Sequence, residues 1–83
     1  MVRYASHAKA RMAERSITAA EVESVLASPL EIIPTRYGRN AAMGRSGEKF
    51  LVVVTETARE DFIVVTAVKV DRNRARRYGF TRV

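Results

Sequence analysis

The sequence predicts an α+β domain in which a two-helix N-terminal hairpin packs on one face of a four-stranded, mainly antiparallel sheet. Two observations indicate this class. Apolar residues follow helical spacing up to Pro29 and change to runs typical of strands after it. In the runs at residues 50–54 and 62–68, both the odd-numbered and the even-numbered positions are mainly apolar, which is typical of strands covered on both faces. With 83 residues, the chain is expected to form one domain over residues 1–83.

The first predicted helix covers residues 6–15. Ala8 and Met12 lie one turn apart and give it a narrow apolar stripe, and Ser6 is placed to cap its first turn. The link to the next helix is short. Ser16 is therefore expected in the left-handed backbone conformation, which glycine adopts at lower cost.

The second predicted helix begins with a capping box. Thr18 and Glu21 have the spacing at which each side chain bonds the backbone N–H of the other residue. Ile17 and Val22 are placed to form a hydrophobic staple around the box. Pro29 ends the helix because it cannot continue the hydrogen-bond ladder. The two helices therefore form a short hairpin.

Four strands are predicted after the hairpin, with glycine and polar residues in the turns between them. They cover residues 31–37, 41–44, 49–56 and 61–70. Pro34 places the first of them at an edge of the sheet or at a bulge. One face of the sheet is expected to take the helices. The other face is left for the C-terminal segment, a second copy of the chain in a homodimer, or a partner chain.

The composition excludes several classes of site. The chain has no cysteine and His7 is its one histidine, so a disulfide framework, a cysteine nucleophile and a zinc site are not expected. Residues 44–47, where one predicted strand ends and a turn follows, are too short to form a phosphate-binding loop, so no nucleotide cofactor is expected. The longest apolar run, residues 50–54, is far shorter than the about 20 residues that span a bilayer. We expect a cytoplasmic protein without membrane contact.

The positive charge lies mainly at the two ends of the chain. The formal net charge is +6, and residues 69–83 hold six basic side chains against Asp71 as their one acid. Tyr78 and Phe80 lie among these arginines. Arginine with interleaved aromatic residues is typical of surfaces that bind phosphates and stack on bases, so RNA or an acidic protein is the expected partner. A solvated basic segment is the alternative.

The first third of the chain resembles a known family. The residues that carry the resemblance are Ser6 to Thr18, Glu21-Val22, Val25-Leu26 and Pro29. They are similar to the opening of a small bacterial family that is catalogued mostly as a domain of unknown function. That family in turn resembles the RelE/ParE superfamily of toxin–antitoxin toxins. The resemblance implies a RelE/ParE-like fold, a metal-independent ribonuclease acting on mRNA, and an acidic antitoxin protein as partner.

Five residues are candidates for catalysis. Metal-independent cleavage of RNA requires a base for the 2′-hydroxyl proton, an acid for the leaving oxygen and cations for the phosphoryl oxygens. Histidine is the side chain that ordinarily titrates near neutrality, and a tyrosine surrounded by arginines is a second candidate for proton transfer. Planar guanidinium groups supply the cations. The predicted catalytic residues are His7, Arg11, Arg74, Arg77 and Tyr78.

Five further residues are candidates for contact with nucleic acid. They are Arg15, Lys69, Arg72, Arg76 and Phe80. A structural role is the alternative for His7, as a capping residue or a residue at the edge of the core. It is also the alternative for Arg11 and Arg15, because acidic residues of the two helices can pair with them and fasten the helices together. Those acidic residues are Glu14, Glu21 and Glu23.

The sequence supports two hypotheses of function. In the leading one, the protein is the toxin of a bacterial toxin–antitoxin pair, an endoribonuclease that cleaves mRNA either free or on the ribosome. In the alternative, it is a non-catalytic module that binds nucleic acid or a protein. Such a module would act as a toxin that poisons gyrase or as a regulatory partner.

Overall fold

The computed structural model describes residues 2–83, which form five strands, three α-helices and one 3₁₀ turn. The strands are β1 (Val2–Tyr4), β2 (Glu31–Pro34), β3 (Asn40–Ser46), β4 (Lys49–Ala58) and β5 (Asp61–Val70). The helices are α1 (Ser6–Glu14), α2 (Ala19–Ala27) and α3 (Arg72–Tyr78), and the 3₁₀ turn covers Arg36–Gly38. The α+β class is confirmed. The described residues contain one strand and one helix more than the sequence predicted.

The sheet is mixed, with the strand order β1-β5-β4-β3-β2. Neighbouring strands from β2 to β5 are antiparallel, as predicted. The strand β1 runs parallel to β5, with Val2 opposite Phe62 and Tyr4 opposite Val64. It was not predicted because three residues are too few to show an alternating pattern. As the position of Pro34 predicted, β2 is an edge strand.

The helices α1 and α2 pack as a hairpin on one face of the sheet, as predicted. The capping box is present, with the Glu21 backbone nitrogen 3.1 Å from Thr18 Oγ1 and the Thr18 backbone nitrogen 3.0 Å from a Glu21 carboxylate oxygen. Ser16 has a φ of 54°, the expected left-handed conformation. The prediction that Ser6 caps α1 is wrong. The N-cap residue is Ala5, whose side chain accepts no hydrogen bond, and Ser6 is the first helical residue.

The first hydrophobic core lies between the hairpin and the sheet. Its buried members are Ala8, Met12, Ile17, Val22, Val25, Ala42, Leu51, Val53, Val64 and Ala67. Each fully buried valine or leucine stabilises the fold by about 1.5–3 kcal/mol relative to an exposed side chain. Gly44 also faces α2, and a Cβ atom there would come within 2.8 Å of Val25 Cγ2. The strand predicted to end at Gly44 continues to Ser46, so Gly44 lies inside β3, where the absence of a side chain permits the close approach of α2.

The opposite face of the sheet is covered by α3 and the residues that follow it. The second core contains Ala41, Met43, Phe50, Val52, Val70, Ala75 and Phe80. The sequence left three possibilities for what covers this face, and in the structure it is the C-terminal segment. The Asp71 carboxylate accepts a hydrogen bond from the backbone of α3, and Gly79 ends the helix with a φ of 113°. The sequence did not predict α3 because only one of its residues is buried, so no apolar stripe marks it.

The strand β2 is shorter than predicted and is followed by the 3₁₀ turn. Pro34 ends the strand, and the Thr35 backbone N–H donates to the Arg39 carbonyl oxygen at 2.8 Å, which closes the turn. Inside the turn, Tyr37 has φ 63° and ψ 31°. A left-handed backbone costs a bulky side chain about 1–3 kcal/mol.

Candidate nucleic-acid interface

An open groove of about 540 Å³ lies between the 3₁₀ turn and the end of α3, on the face opposite the helical hairpin. Val54 of β4 lines it between the two walls. A smaller hollow of about 280 Å³ lies along α3 and shares Arg77 and Tyr78 with the first. We call the two together the arginine groove. Its defining residues are Arg36, Tyr37, Arg39, Arg74, Arg77 and Tyr78.

The helix α3 presents three of these side chains. Arg74, Arg77 and Tyr78 are spaced i, i+3 and i+4, which places them on one side of the helix. Ala75, on another side, packs into the second core and fixes the orientation of α3. Tyr78 is 38% exposed, and the centroid of its ring lies 6.2 Å from that of Phe80. A buried ring therefore supports an exposed one.

The 3₁₀ turn presents the other three side chains. Tyr37 is 85% exposed, and its backbone is left-handed. The Arg39 guanidinium carbon lies 5.8 Å from the centroid of the Tyr37 ring, which is a cation–π contact. Arg39 Nε also donates to a Glu56 carboxylate oxygen at 2.8 Å. One carboxylate therefore stands at the edge of the groove.

The arginine groove concentrates positive charge. Of its guanidinium groups, Arg39 is paired with Glu56. Within residues 2–83, no carboxylate forms an ion pair with Arg36, Arg74 or Arg77. Neighbouring guanidinium groups without acidic partners raise the local potential and attract anions. Their planar forks match the oxygens of a phosphate or carboxylate.

The sheet separates the predicted catalytic residues into two sets. The three on α3 line the arginine groove. His7 and Arg11 belong to α1, which packs on the opposite face. Both are exposed, and Arg11 Nη1 lies 3.2 Å from a Glu14 carboxylate oxygen. The structure does not bring His7 and the α3 arginines together around one phosphate.

Arg15 and Lys69 hold parts of the fold together on the hairpin face. Arg15 Nη1 donates to the Ala67 carbonyl oxygen at 2.8 Å, which ties the end of α1 to β5. Lys69 Nζ lies 3.3 Å from a Glu21 carboxylate oxygen at the start of α2. The Thr18 backbone N–H, together with the Lys69 ammonium group, holds the pKa of Glu21 below its usual range, although burial acts in the opposite direction. Neither cation lines the arginine groove.

The remaining candidates lie on α3 or directly after it. Arg72 and Arg76 are exposed but do not line the arginine groove. Phe80 is 2% exposed and belongs to the second core, so its ring is not available to a base. Its position follows from the end of α3. The left-handed Gly79 reverses the chain, and the Phe80 N–H bonds back to the Ala75 carbonyl oxygen at 3.2 Å.

A family comparison relates the chain to other proteins. The family model described as Domain of unknown function (DUF4258) matches residues 4–73. This chain belongs to the DUF4258 family. The match includes the 3₁₀ turn and ends directly before Arg74, so the α3 side chains of the arginine groove lie outside it. Comparisons with curated proteins and with solved structures gave no match.

The sequence of this DUF4258 chain did not indicate that Arg36, Tyr37 and Arg39 line the groove. The sequence pattern predicts that Arg36 and Tyr37 belong to a strand and that Arg39 belongs to the turn after it. A signal was present, because the tripeptide Arg-Tyr-Gly occurs twice, at residues 36–38 and at residues 77–79. The arginine and tyrosine of both copies line the same groove. Two tripeptides that are far apart in the DUF4258 chain thus become neighbours in the fold.

Two other kinds of feature are absent from the described part of the DUF4258 chain. Within residues 2–83, His, Asp and Glu side chains do not cluster in threes as metal ligands would. Among the helices described, none has the length and apolar character needed to cross a membrane.

Proposed function

We propose that this DUF4258 domain binds RNA in the arginine groove. The observation that carries the proposal is that three arginines without a carboxylate partner among residues 2–83 line the arginine groove together with two exposed tyrosines. Guanidinium forks bind phosphate oxygens, and tyrosine rings stack on bases. RNA offers both groups along one strand.

An acidic protein is a second ligand for the same arginines. In a toxin–antitoxin pair, the acidic antitoxin would occupy the arginine groove and compete with RNA. The exposed rings of Tyr37 and Tyr78 favour RNA as the primary ligand, because a nucleobase offers an aromatic ring for them to stack on and a carboxylate does not. Competition between the two ligands is therefore part of the proposal.

The salt dependence of binding reports how many phosphates the groove neutralises. Arg36, Arg74 and Arg77 are the cations of the groove without a carboxylate partner among residues 2–83. We assume that each of these three arginines neutralises one phosphate of a single strand. A plot of the logarithm of the binding constant against the logarithm of the salt concentration should then have a slope of about −2.

The test measures the binding of a dye-labelled RNA oligonucleotide by fluorescence anisotropy over a salt series. The Arg74→Ala/Arg77→Ala variant should bind about tenfold more weakly or worse, with a slope reduced by about 1.4, because it loses two phosphate contacts. The matched control is Lys9→Ala/Arg11→Ala, which removes the same charge from α1 on the opposite face. It should bind almost as the wild type does. Equal losses in both variants would show that net charge, and not the groove, determines binding.

We propose ribonuclease toxin activity as a second candidate function, on the observation that a carboxylate stands at the groove. In this scheme Glu56, bonded to Arg39 of the groove at 2.8 Å, would take the proton of a 2′-hydroxyl. The 2′-oxygen would then attack the adjacent phosphorus and the bond to the 5′-oxygen would break. Tyr78 would give its proton to that leaving oxygen, and the arginines would stabilise the phosphoryl charge. His7, on the opposite face, has no part in this scheme.

Induced expression in bacteria tests the second candidate. Wild type, Glu56→Gln and His7→Ala chains are compared for growth arrest and for new RNA 5′ ends in the same cultures. Arrest with new ends is expected for the wild type and for His7→Ala, and both effects should be lost in Glu56→Gln. Arrest without new ends would point to a protein target such as gyrase. Cleavage that survives in Glu56→Gln would exclude this carboxylate as the base.

A further inference from the structure

Tyr37 is presented to solvent at a conformational cost. Its ring is 85% exposed, the highest value among the large hydrophobic side chains of residues 2–83. Its backbone is left-handed, a conformation that glycine or asparagine adopts more readily than tyrosine. The ring therefore does not gain from burial in this chain. An exposed aromatic ring held in this way is suited to contact with a flat ligand.

Tyr78 presents a second ring to the same groove. It lies at the end of α3 and is held from behind by the buried ring of Phe80, 6.2 Å away between centroids. Both tyrosines line the space of about 540 Å³ between the turn and α3. A guanidinium group accompanies each ring, since Arg39 lies 5.8 Å from the Tyr37 centroid and Arg77 precedes Tyr78 on the groove side of α3.

We infer that the two Arg-Tyr-Gly tripeptides form a clamp for unpaired bases, in which Tyr37 and Tyr78 each stack on one base while the arginines hold the phosphates. This inference rests on the proposed RNA binding and names its substrate class as single-stranded RNA. In a duplex the base faces are covered by stacking, so the rings would have no partner there. Stacking accepts every base, so the clamp gives little sequence preference.

The test compares a short oligouridylate with an abasic ribose–phosphate oligomer of the same length and charge. The wild type should bind the oligouridylate at least about fivefold more tightly, because a stacked base contributes that much or more. Tyr37→Ala/Tyr78→Ala should bind the two oligomers equally and keep the salt slope of the wild type. Tyr37→Phe/Tyr78→Phe should retain the preference, because the stacking face is unchanged. An RNA duplex should bind the wild type and the alanine variant equally.

Tyr37→Asn controls for the backbone of the turn, because asparagine tolerates the left-handed conformation and removes the ring. It should lose part of the preference without loss of folded structure by circular dichroism. Tyrosine emission supplies an independent readout, since the chain has three tyrosines and no tryptophan. In a Tyr4→Phe background, where both remaining tyrosines line the groove, the oligouridylate should quench the emission and the abasic oligomer should not.

The outcomes separate this inference from the proposed function. Equal binding of both oligomers by the wild type, with the slope expected for phosphate contacts, would overturn the clamp and leave RNA binding in place. A base preference that survives in Tyr37→Ala/Tyr78→Ala would also overturn it. Failure of the wild type to bind either oligomer would overturn both proposals.

Discussion

Arg11 of α1 and Arg15, the residue that caps the C-terminus of this helix, have different roles although they are only four residues apart. Arg11 pairs with Glu14 on the helix surface, where an exposed ion pair contributes about 0–1 kcal/mol. Arg15 donates to the Ala67 carbonyl oxygen at 2.8 Å and has Thr66 Oγ1 at 3.5 Å, both on β5. The sequence offered both arginines as candidates for the functional site, with a structural role as the alternative. It did not indicate which of them reaches the sheet, because that depends on where β5 passes α1.

Arg15 is expected to contribute to stability and Arg11 is not. Arg15→Ala should lower the free energy of unfolding by about 1 kcal/mol, because the Ala67 carbonyl loses a charged donor. Arg11→Ala should change it by less than about 0.5 kcal/mol. Urea unfolding followed by circular dichroism measures both. If Arg15→Ala is as stable as the wild type, the hydrogen bond to β5 does not contribute to stability. Contact with a ligand would then be the better explanation for the role of Arg15.

At the scale of elements, the residues after α3 are fastened to the edge strand β2 by one side chain. The Glu31 carboxylate accepts hydrogen bonds from the Thr81 backbone N–H at 2.8 Å, the Thr81 hydroxyl at 3.0 Å and the Arg82 backbone N–H at 2.9 Å. These bonds, with that of the Arg82 backbone as the largest contribution, hold the pKa of Glu31 below its usual range. The carboxylate thereby keeps Phe80 and Val83 against the second core.

Acid should loosen this attachment. A carboxylate with a lowered pKa in the folded state stabilises fully above the ordinary glutamate pKa of about 4.3 and loses that effect as the pH falls through the lowered value. The wild type should therefore have a higher thermal midpoint than Glu31→Gln at neutral pH, and the difference should shrink well below pH 4. Differential scanning calorimetry at the two pH values measures it.

Glu48→Gln is the matched control for the acid experiment, since Glu48 is exposed in the turn between β3 and β4. Its midpoint should follow the wild type at both pH values. Glu21, whose pKa is also lowered, is present in all three chains, so its contribution cancels in the comparison. A difference between wild type and Glu31→Gln that is the same at both pH values would contradict an ionised Glu31 as the source of the attachment.

At the scale of the whole molecule, local patterns predicted the parts of the fold that local forces determine. The capping box at Thr18 and Glu21, the left-handed Ser16 and the antiparallel strands were predicted from spacing and turn chemistry alone. The strand β1 and the helix α3 were not. Each is short and carries little periodicity, so each depends on contacts with distant parts of the chain.

The residues of the candidate site also fall into those that the sequence predicted and those that it did not. Charge density predicted Arg74 and Arg77, because they lie in a segment where basic residues greatly outnumber acids. Arg36 and Arg39 lie in a segment of mixed charge and join the groove only because α3 folds back over the sheet. His7 was grouped with the α3 arginines by chemistry, but side-chain chemistry carries no information about which face of a sheet a helix covers.

The parallel pairing of β1 with β5 imposes an order on folding. Val2 is opposite Phe62, so β1 has no partner strand until β5 has been synthesised and released from the ribosome. The antiparallel pairs from β2 to β5 join strands that are adjacent along the chain and close short loops, which makes them the faster contacts. Loop-closure entropy therefore favours β1 as the last of the five described strands to join the sheet. Until then, the edge of β5 that it will occupy remains exposed to other chains.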